Sequence, residues 1–310
     1  MFKSKAVNKA VLTSAHYTGL MLFAFFTVFP LLWALAFALS QDGSTAYKFP
    51  EGFMPTTADA AGNYTFGMTF IWFERVFTEI PFSKYFFNSV IISGASVIFT
   101  AIISLLAAYP LARMKFVGRN LIFVAIIATL MLPIEAGFVS NYITVSKFGR
   151  VMNELQAFFG SPDETWKRFV GINSYFAVVA PGVAGAFGIF LMKQAFEAVP
   201  QDLIDAARVD GATEMQILWR VMLPVTVPSL AALSIFTLVN SWNDFIWPSI
   251  IMRSKEMQPL AVGVFNDLTG PLAGSQNTLM AAIVLTVIPV LIFFAFTQRY
   301  FISGMDGAVK

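Results

Sequence analysis

The chain has 310 residues, of which 57% are hydrophobic and only 12% charged, and its mean hydropathy is +0.70. That balance excludes a water-soluble surface, and 34 Phe, 14 Met and 6 Trp beside 20 Gly and 15 Pro exclude disorder, collagen and coiled coil. A formal net charge of +2 is too small to mark a nucleic-acid partner, and the absence of Cys removes disulfides, thiolate metal sites and cysteine nucleophiles.

Six uncharged runs follow one another along the chain: 17–41, 85–112, 120–133, 169–192, 221–243 and 268–298. About 20 apolar residues cover a hydrocarbon layer roughly 30 Å thick, so the pattern predicts an all-α, polytopic membrane protein of six transmembrane helices. The third run is short. It reaches spanning length only by carrying Glu135 and continuing through Phe138 to Tyr142. A boundary near residue 84 would divide an N-terminal span and outer loop, 1–84, from a core, 85–310.

Eleven of the twenty Lys and Arg residues fall on the side shared by the two termini, among them Lys3, Lys5, Lys9, Arg113, Lys115, Arg119, Lys193, Arg208 and Arg220. Positively charged flanks resist translocation, so the termini and the loop 195–220 are expected to be cytoplasmic. A cleavable signal peptide is the rival reading of the start, given the small residues Ala36 and Ala38 after three lysines. The apolar stretch 17–39 is longer than the 7 to 15 residues of a signal core. The outer loops are then 42–84, 143–168 and 253–277. Phe70, Phe73, Val76 and Phe77 predict a short amphipathic helix before Pro81, and Val151, Leu155, Phe158 and Phe159 predict another that Ser161 and Pro162 would stop.

Catalytic groups are scarce. The dipeptide Gly-Lys is missing, so the chain has no phosphate-cradling loop of its own. His16, the one histidine, sits beside the inner interface and reads as an interfacial polar residue, so no metal site and no catalytic residue is expected. Within the apolar runs and their ends the ionisable residues reduce to Glu135 and Asp244, each either an interface carboxylate or part of a pathway.

The longest inner loop carries the most local information. Pro200 suits the first turn of a helix, Asp202 complements its positive dipole end, and Gly211 is the natural residue to end it in a left-handed conformation. Thr213 with Gln216 three residues on is a capping-box pattern that starts a second helix. Ala207 and Gly211 lie four apart, which predicts a shallow notch flanked by Leu203 and Ile204 where another protein could approach.

The spacing Asp205-Ala206-Ala207, three residues, Gly211, nine residues, Val221, one residue, Leu223-Pro224 resembles the E-A-A, x3, G, x9, I, x, L-P signature of binding-protein-dependent ABC importer permeases. Asp205 stands where that family usually has Glu, and Val221 where it usually has Ile. Further segments look like its carbohydrate branch, the maltose and glycerol-phosphate type: Asn88-Ser89, Met131-Leu132-Pro133, Ile172-Asn173-Ser174-Tyr175, Phe190-Leu191-Met192-Lys193-Gln194, Asp210-Gly211-Ala212, Trp242-Asn243-Asp244-Phe245-Ile246-Trp247-Pro248 and Gln298-Arg299-Tyr300-Phe301. Coverage runs from about Tyr85 to the end, and the stretch 150–170 is longer than the family pattern.

The resemblance implies the type I ABC importer permease fold in a bacterial or archaeal inner membrane. It also implies a homologous permease partner, two ATPase subunits that carry ATP and Mg, and an extracytoplasmic sugar-binding protein. The helix 198–212 would be the coupling helix, with Leu203, Ile204, Asp205, Ala206, Ala207, Asp210 and Gly211 facing an ATPase subunit. Sugars are held by hydrogen bonds and aromatic stacking, so Asn240, Trp242, Asn243, Asp244 and Trp247 are either substrate-pathway residues or an aromatic belt with polar caps. Gly182, Ala184, Gly185, Ala186 and Gly188 read as helix-packing positions. An ion-coupled secondary transporter or channel acting without an ATPase is the competing function class.

Overall fold

The computed structural model describes residues 2–41, 54–58, 64–160, 170–269 and 275–308, and the chain divides into two compact units, 1–80 with 266–288 and 81–265 with 289–310. In the first unit, α1 (Phe2–Leu39) is followed by a short antiparallel hairpin, β1 (Thr56–Ala58) and β2 (Tyr64–Phe66), and by α2 (Ile71–Glu79). The hairpin is an addition to the all-α expectation. It is fastened to the end of α1, where the Gln41 amide donates to the Thr56 carbonyl at 2.8 Å and the Thr69 amide to the Leu39 carbonyl at 2.8 Å. Helix ends leave carbonyls without partners. Here Asn277 donates to the Phe37 and Ser40 carbonyls at 2.9 and 3.0 Å, and the Trp72 indole donates to Ser40 at 2.7 Å.

The second unit is built around α3 (Phe82–Arg113), a 32-residue helix about 48 Å long at 1.5 Å per residue. After it come α4 (Arg119–Ala128), α5 (Phe138–Phe159), α6 (Tyr175–Val179), α7 (Ala186–Glu197), α8 (Gln201–Val209) and α9 (Glu214–Ile217). A π-helical turn (Leu218–Met222), α10 (Leu223–Val225), α11 (Val227–Asn243), α12 (Ile246–Ile251), α13 (Leu260–Leu268) and α14 (Gln276–Ala308) complete the chain order, residues 266–288 of the last two helices belonging to the first unit.

Among the described residues three helices, Thr13–Leu39, Phe82–Arg113 and Gln276–Gln298, are long and apolar enough to cross a membrane unbroken. Two bent pairs raise that number to five if each is one span: Arg119–Met131 with Ile134–Phe158, bent by 102°, and Glu214–Val225 with Val227–Asn243, bent by 81°. The first bend sits at Pro133, which cannot donate to the preceding turn. Past it, α5 runs on for 22 residues, so the amphipathic segment predicted for 151–159 is the end of a longer helix rather than a separate loop helix. It stops at Gly160; Ser161 and Pro162, the predicted stop, lie outside the described residues. The run 169–192 does not form one helix either. Its described part holds α6 and α7 separated by turns at 180–184, where Pro181 and Gly182 interrupt the backbone ladder.

α3 packs between α7 and α11. Gly188 makes this approach possible, because a β-carbon there would strike the Ser104 hydroxyl and press on Leu233. Gly188→Val is therefore expected to overpack the contact by about 1–3 kcal/mol and lower the melting temperature of the detergent-purified protein. Gly94→Val, whose β-carbon meets nothing within 4 Å, should leave it unchanged.

Candidate functional site

The loop between α7 and α11 folds as its local chemistry dictates. Pro200, at φ −57° and ψ 136°, stands one position ahead of α8 rather than inside its first turn. At the other end Gly211 adopts φ +80°. That conformation lets the Ala212 amide reach the Ala207 carbonyl and the Gly211 amide reach the Arg208 carbonyl, both at 3.0 Å, the two bonds of a Schellman motif. Thr213 then starts α9 with both bonds of the capping box: the Gln216 amide donates to Thr213 Oγ1 at 3.3 Å, and the Thr213 amide donates to Gln216 Oε1 at 2.8 Å.

α8 has one anchored face and one open face. Ile204 is 0% exposed and packs in a cluster with Leu105, Tyr109, Met192, Phe196, Ile217 and Met222. Ala207 is half-buried against the same cluster. This corrects the expected notch: Ile204 is buried in the helix's own bundle, and Ala207 is partly covered by the same cluster. At 100° per residue the opposite face carries Asp202, Ala206 and Val209, and Val209 is 88% exposed. Leu203, Asp205, Asp210 and Gly211 are also exposed, and a β-carbon on Gly211 would meet nothing within 4 Å. Asp205 accepts from Gln201 at 3.0 Å and pairs with Arg208 at 3.5 Å, two bonds within its own helix.

Three residues that local sequence patterns do not single out tie this loop to α3. Arg113 donates through Nη2 to the Phe196 and Val199 carbonyls and through Nη1 to Gln201 at 3.0 Å, capping the end of α7 and gripping the start of α8. The Tyr109 hydroxyl donates to Glu214 Oε2, and Arg208 donates to Glu214 Oε1 through Nε at 3.2 Å and Nη2 at 3.0 Å. These hydrogen bonds with Glu214 raise the Arg208 pKa above its ordinary value. Tyr109 and Glu214 are 105 residues apart, a separation over which no local spacing rule operates. Arg113 is legible only as a basic flank.

Beyond Pro224 the helix changes character. The Leu223 amide bonds five residues back to Leu218, a π turn, and Thr226 donates its hydroxyl to Met222 at 2.8 Å where the 81° bend begins. Pro224 and Pro228, each lacking an N–H, flank the break.

At the far end of α11 the structure separates the polar and aromatic cluster into two groups. Trp242 is buried edge-on to Phe86, with ring centres 6.1 Å apart. Trp247 is 6% exposed, stacks on Phe138 and donates to the Ala177 carbonyl at 3.1 Å. Both tryptophans therefore hold helices together, which differs from both expected places, along a pathway or in an aromatic belt. Asn240 and Asn243 are exposed, Asn243 returning one bond to the Val239 carbonyl at 2.8 Å. Asp244 is half-buried and accepts from the Trp247 amide at 3.4 Å, which caps α12.

The Asn88-Ser89 and Ile172–Tyr175 segments acquire a structural role nearby. Asn88 donates to the Glu256 and Gln258 carbonyls at 2.9 Å each and accepts from the Tyr175 hydroxyl at 2.7 Å. Ser89 accepts from the Leu260 amide at 2.8 Å, and Asn173, at φ 63°, accepts from the Ser254 amide at 3.0 Å. Together they fix the segment joining α12 to α13.

The family model described as binding-protein-dependent transport system inner membrane component matches residues 101–307, and the chain belongs to that family. It is 34% identical over 300 residues, 94% of each chain, to the arabinooligosaccharides transport system permease protein AraQ of Halalkalibacterium halodurans. It is also 29% identical to the sn-glycerol-3-phosphate transport system permease protein UgpE of Yersinia enterocolitica, over 91% of this chain and 92% of that one. The lactose transport system permease protein LacG of Rhizobium radiobacter is 28% identical over 95% of each chain. In fold, it is similar to a chain of a bacterial ABC transporter involved in import of the acidic polysaccharide alginate, with a TM-score of 0.73 at 22% identity over 94% and 96% of the two chains. Family membership decides between the two function classes left open by the sequence: the chain is an inner-membrane transport component of a binding-protein-dependent importer.

Proposed function

We propose that the chain is one half of the translocation pore for a sugar or sugar derivative and that α8 is the coupling helix seated on an ATPase subunit. The observation that carries this is the two-faced α8, anchored by Ile204 and held in place by the Gly211 turn, with Asp202, Ala206 and Val209 left facing outward. A homologous permease, two ATPase subunits supplying ATP and Mg, and a sugar-loaded binding protein complete the machine. Both termini and the loop 195–220 lie on the ATPase side in this reading, as the placement of basic residues supports. ATP-driven closure of the ATPase pair would move the permease between two packings, a rigid-body alternation. The relatives' cargoes support a carbohydrate substrate.

Asn240, Asn243 and Asp244 are the residues that the sugar path would meet, with Trp242 and Trp247 setting their positions from behind. Asn240→Ala with Asn243→Ala should lower uptake at least about tenfold without loss of the complex, because a site built to hydrogen-bond hydroxyls discriminates strongly by those bonds. The assay is ATP-dependent uptake of radiolabelled arabino-oligosaccharide, sn-glycerol 3-phosphate and lactose into vesicles holding the full importer. Uptake of none by the importer, or equal uptake by the chain alone, contradicts the assignment.

A further inference from the structure

The turn between α8 and α9 spans only 210–213, and apolar packing of Ile204 and Ile217 on the α3 patch is non-directional, so by itself it leaves α8 free to roll. Polar bonds remove that freedom at both ends of the helix. At its start Arg113 holds the Phe196 and Val199 carbonyls and the Gln201 side chain. At its end one carboxylate, Glu214, joins three elements, taking the Tyr109 hydroxyl of α3 on one oxygen and two N–H groups of Arg208 in α8 on the other, while itself opening α9.

Resting on the reading of α8 as the docking helix, we propose that Glu214, with Tyr109 and Arg113, is a positioning residue of the transport cycle: it locks α8 to α3 so that displacement of the docked helix is delivered to the helix around which the second unit is built. The charge-assisted bonds to Glu214 suit that task, being directional and stronger than neutral ones. The two carboxylate oxygens are both engaged, so loss of either partner leaves the other half of the lock without its restraint.

The chain lacks Cys, so spin labels can be placed at will. Val117, 101% exposed at the tip joining α3 to α4, and Leu203, 47% exposed on the flank of α8 beside the face of Asp202, Ala206 and Val209, are the positions to label as Val117→Cys and Leu203→Cys in the assembled importer. The distance between them, read by electron spin resonance without nucleotide and with ATP bound to a hydrolysis-deficient ATPase, should change by no more than ~2 Å, the size of an ordinary helix shift. Tyr109→Phe removes one oxygen and leaves the ring against Phe196, and Glu214→Gln keeps the volume, so neither should prevent folding. Each should broaden the distance distribution at least about twofold while the ATPase still copurifies, and the double variant should add little, as expected when two changes break one bond. A larger nucleotide-dependent change in the parent, or distributions within twofold of the parent in both variants, overturns the proposal. If the ATPase fails to copurify even with unlabelled parent chain, the docking reading fails, and the proposal falls with it.

Discussion

Gly211→Val is expected to abolish ATP-driven uptake while the protein remains inserted and folded. The residue sits at φ +80°, where a β-branched side chain costs about 1–3 kcal/mol of backbone strain. Relieving it requires giving up the two Schellman bonds that set the angle between α8 and α9, so the open face of α8 would be presented in the wrong direction. Local crowding contributes nothing, since a β-carbon there meets open space. Gly211→Asn separates the two ways the valine could act: Asn tolerates the left-handed region, so it keeps the turn and tests only added bulk on the exposed side. Uptake and ATPase stimulation by the loaded binding protein, measured for both variants, check this.

Val209→Asp should be as damaging by a different route. Val209 lies on the outward face, so the substitution itself should change stability by no more than about 0.5 kcal/mol. In the proposed docking of α8 in a cleft of an ATPase subunit, the new carboxylate would lose water without gaining a partner, which costs several kcal/mol and would lower affinity on the order of a hundredfold or more. Ile204→Asp is the contrasting variant, since it places a charge in the buried cluster and should loosen α8 in the isolated chain, before any partner is added. Pull-down of the ATPase subunit and proteolysis of the loop distinguish the two.

The features that sequence reading captured are those decided within a few residues. Gly211 needed only the absence of a β-carbon, and Thr213 with Gln216 needed only a spacing of three. Helix existence was legible for the same reason: the run 85–112 is contained in Phe82–Arg113. The misplacements involve facing and long range. The amphipathic pattern of α8 identifies two faces but not which of them meets α3, so it does not reveal that Ile204 and Ala207 lie on the inward one. Trp242 and Trp247 read equally well as pathway residues or as an aromatic belt, and only Phe86, Phe138 and the Ala177 carbonyl, distant in sequence, reveal that both rings pack between helices. Hydropathy averages also pass over breaks. Pro133, Pro181, and Pro224 with Pro228 lie in or beside uncharged runs without altering their apolar character, yet each marks a place where the helix ladder is interrupted.

Site-specific cross-linking from the open face of α8 tests its proposed contact with an ATPase subunit. Ala206→Cys and Val209→Cys in the otherwise Cys-free chain, treated with a short bifunctional reagent in assembled importer, should each give a permease–ATPase adduct whose yield changes with ATP. Ser249→Cys on α12, which is exposed but lies past the far end of α11, should give none. Adducts of equal yield from all three positions, or from Ser249→Cys alone, would contradict the account.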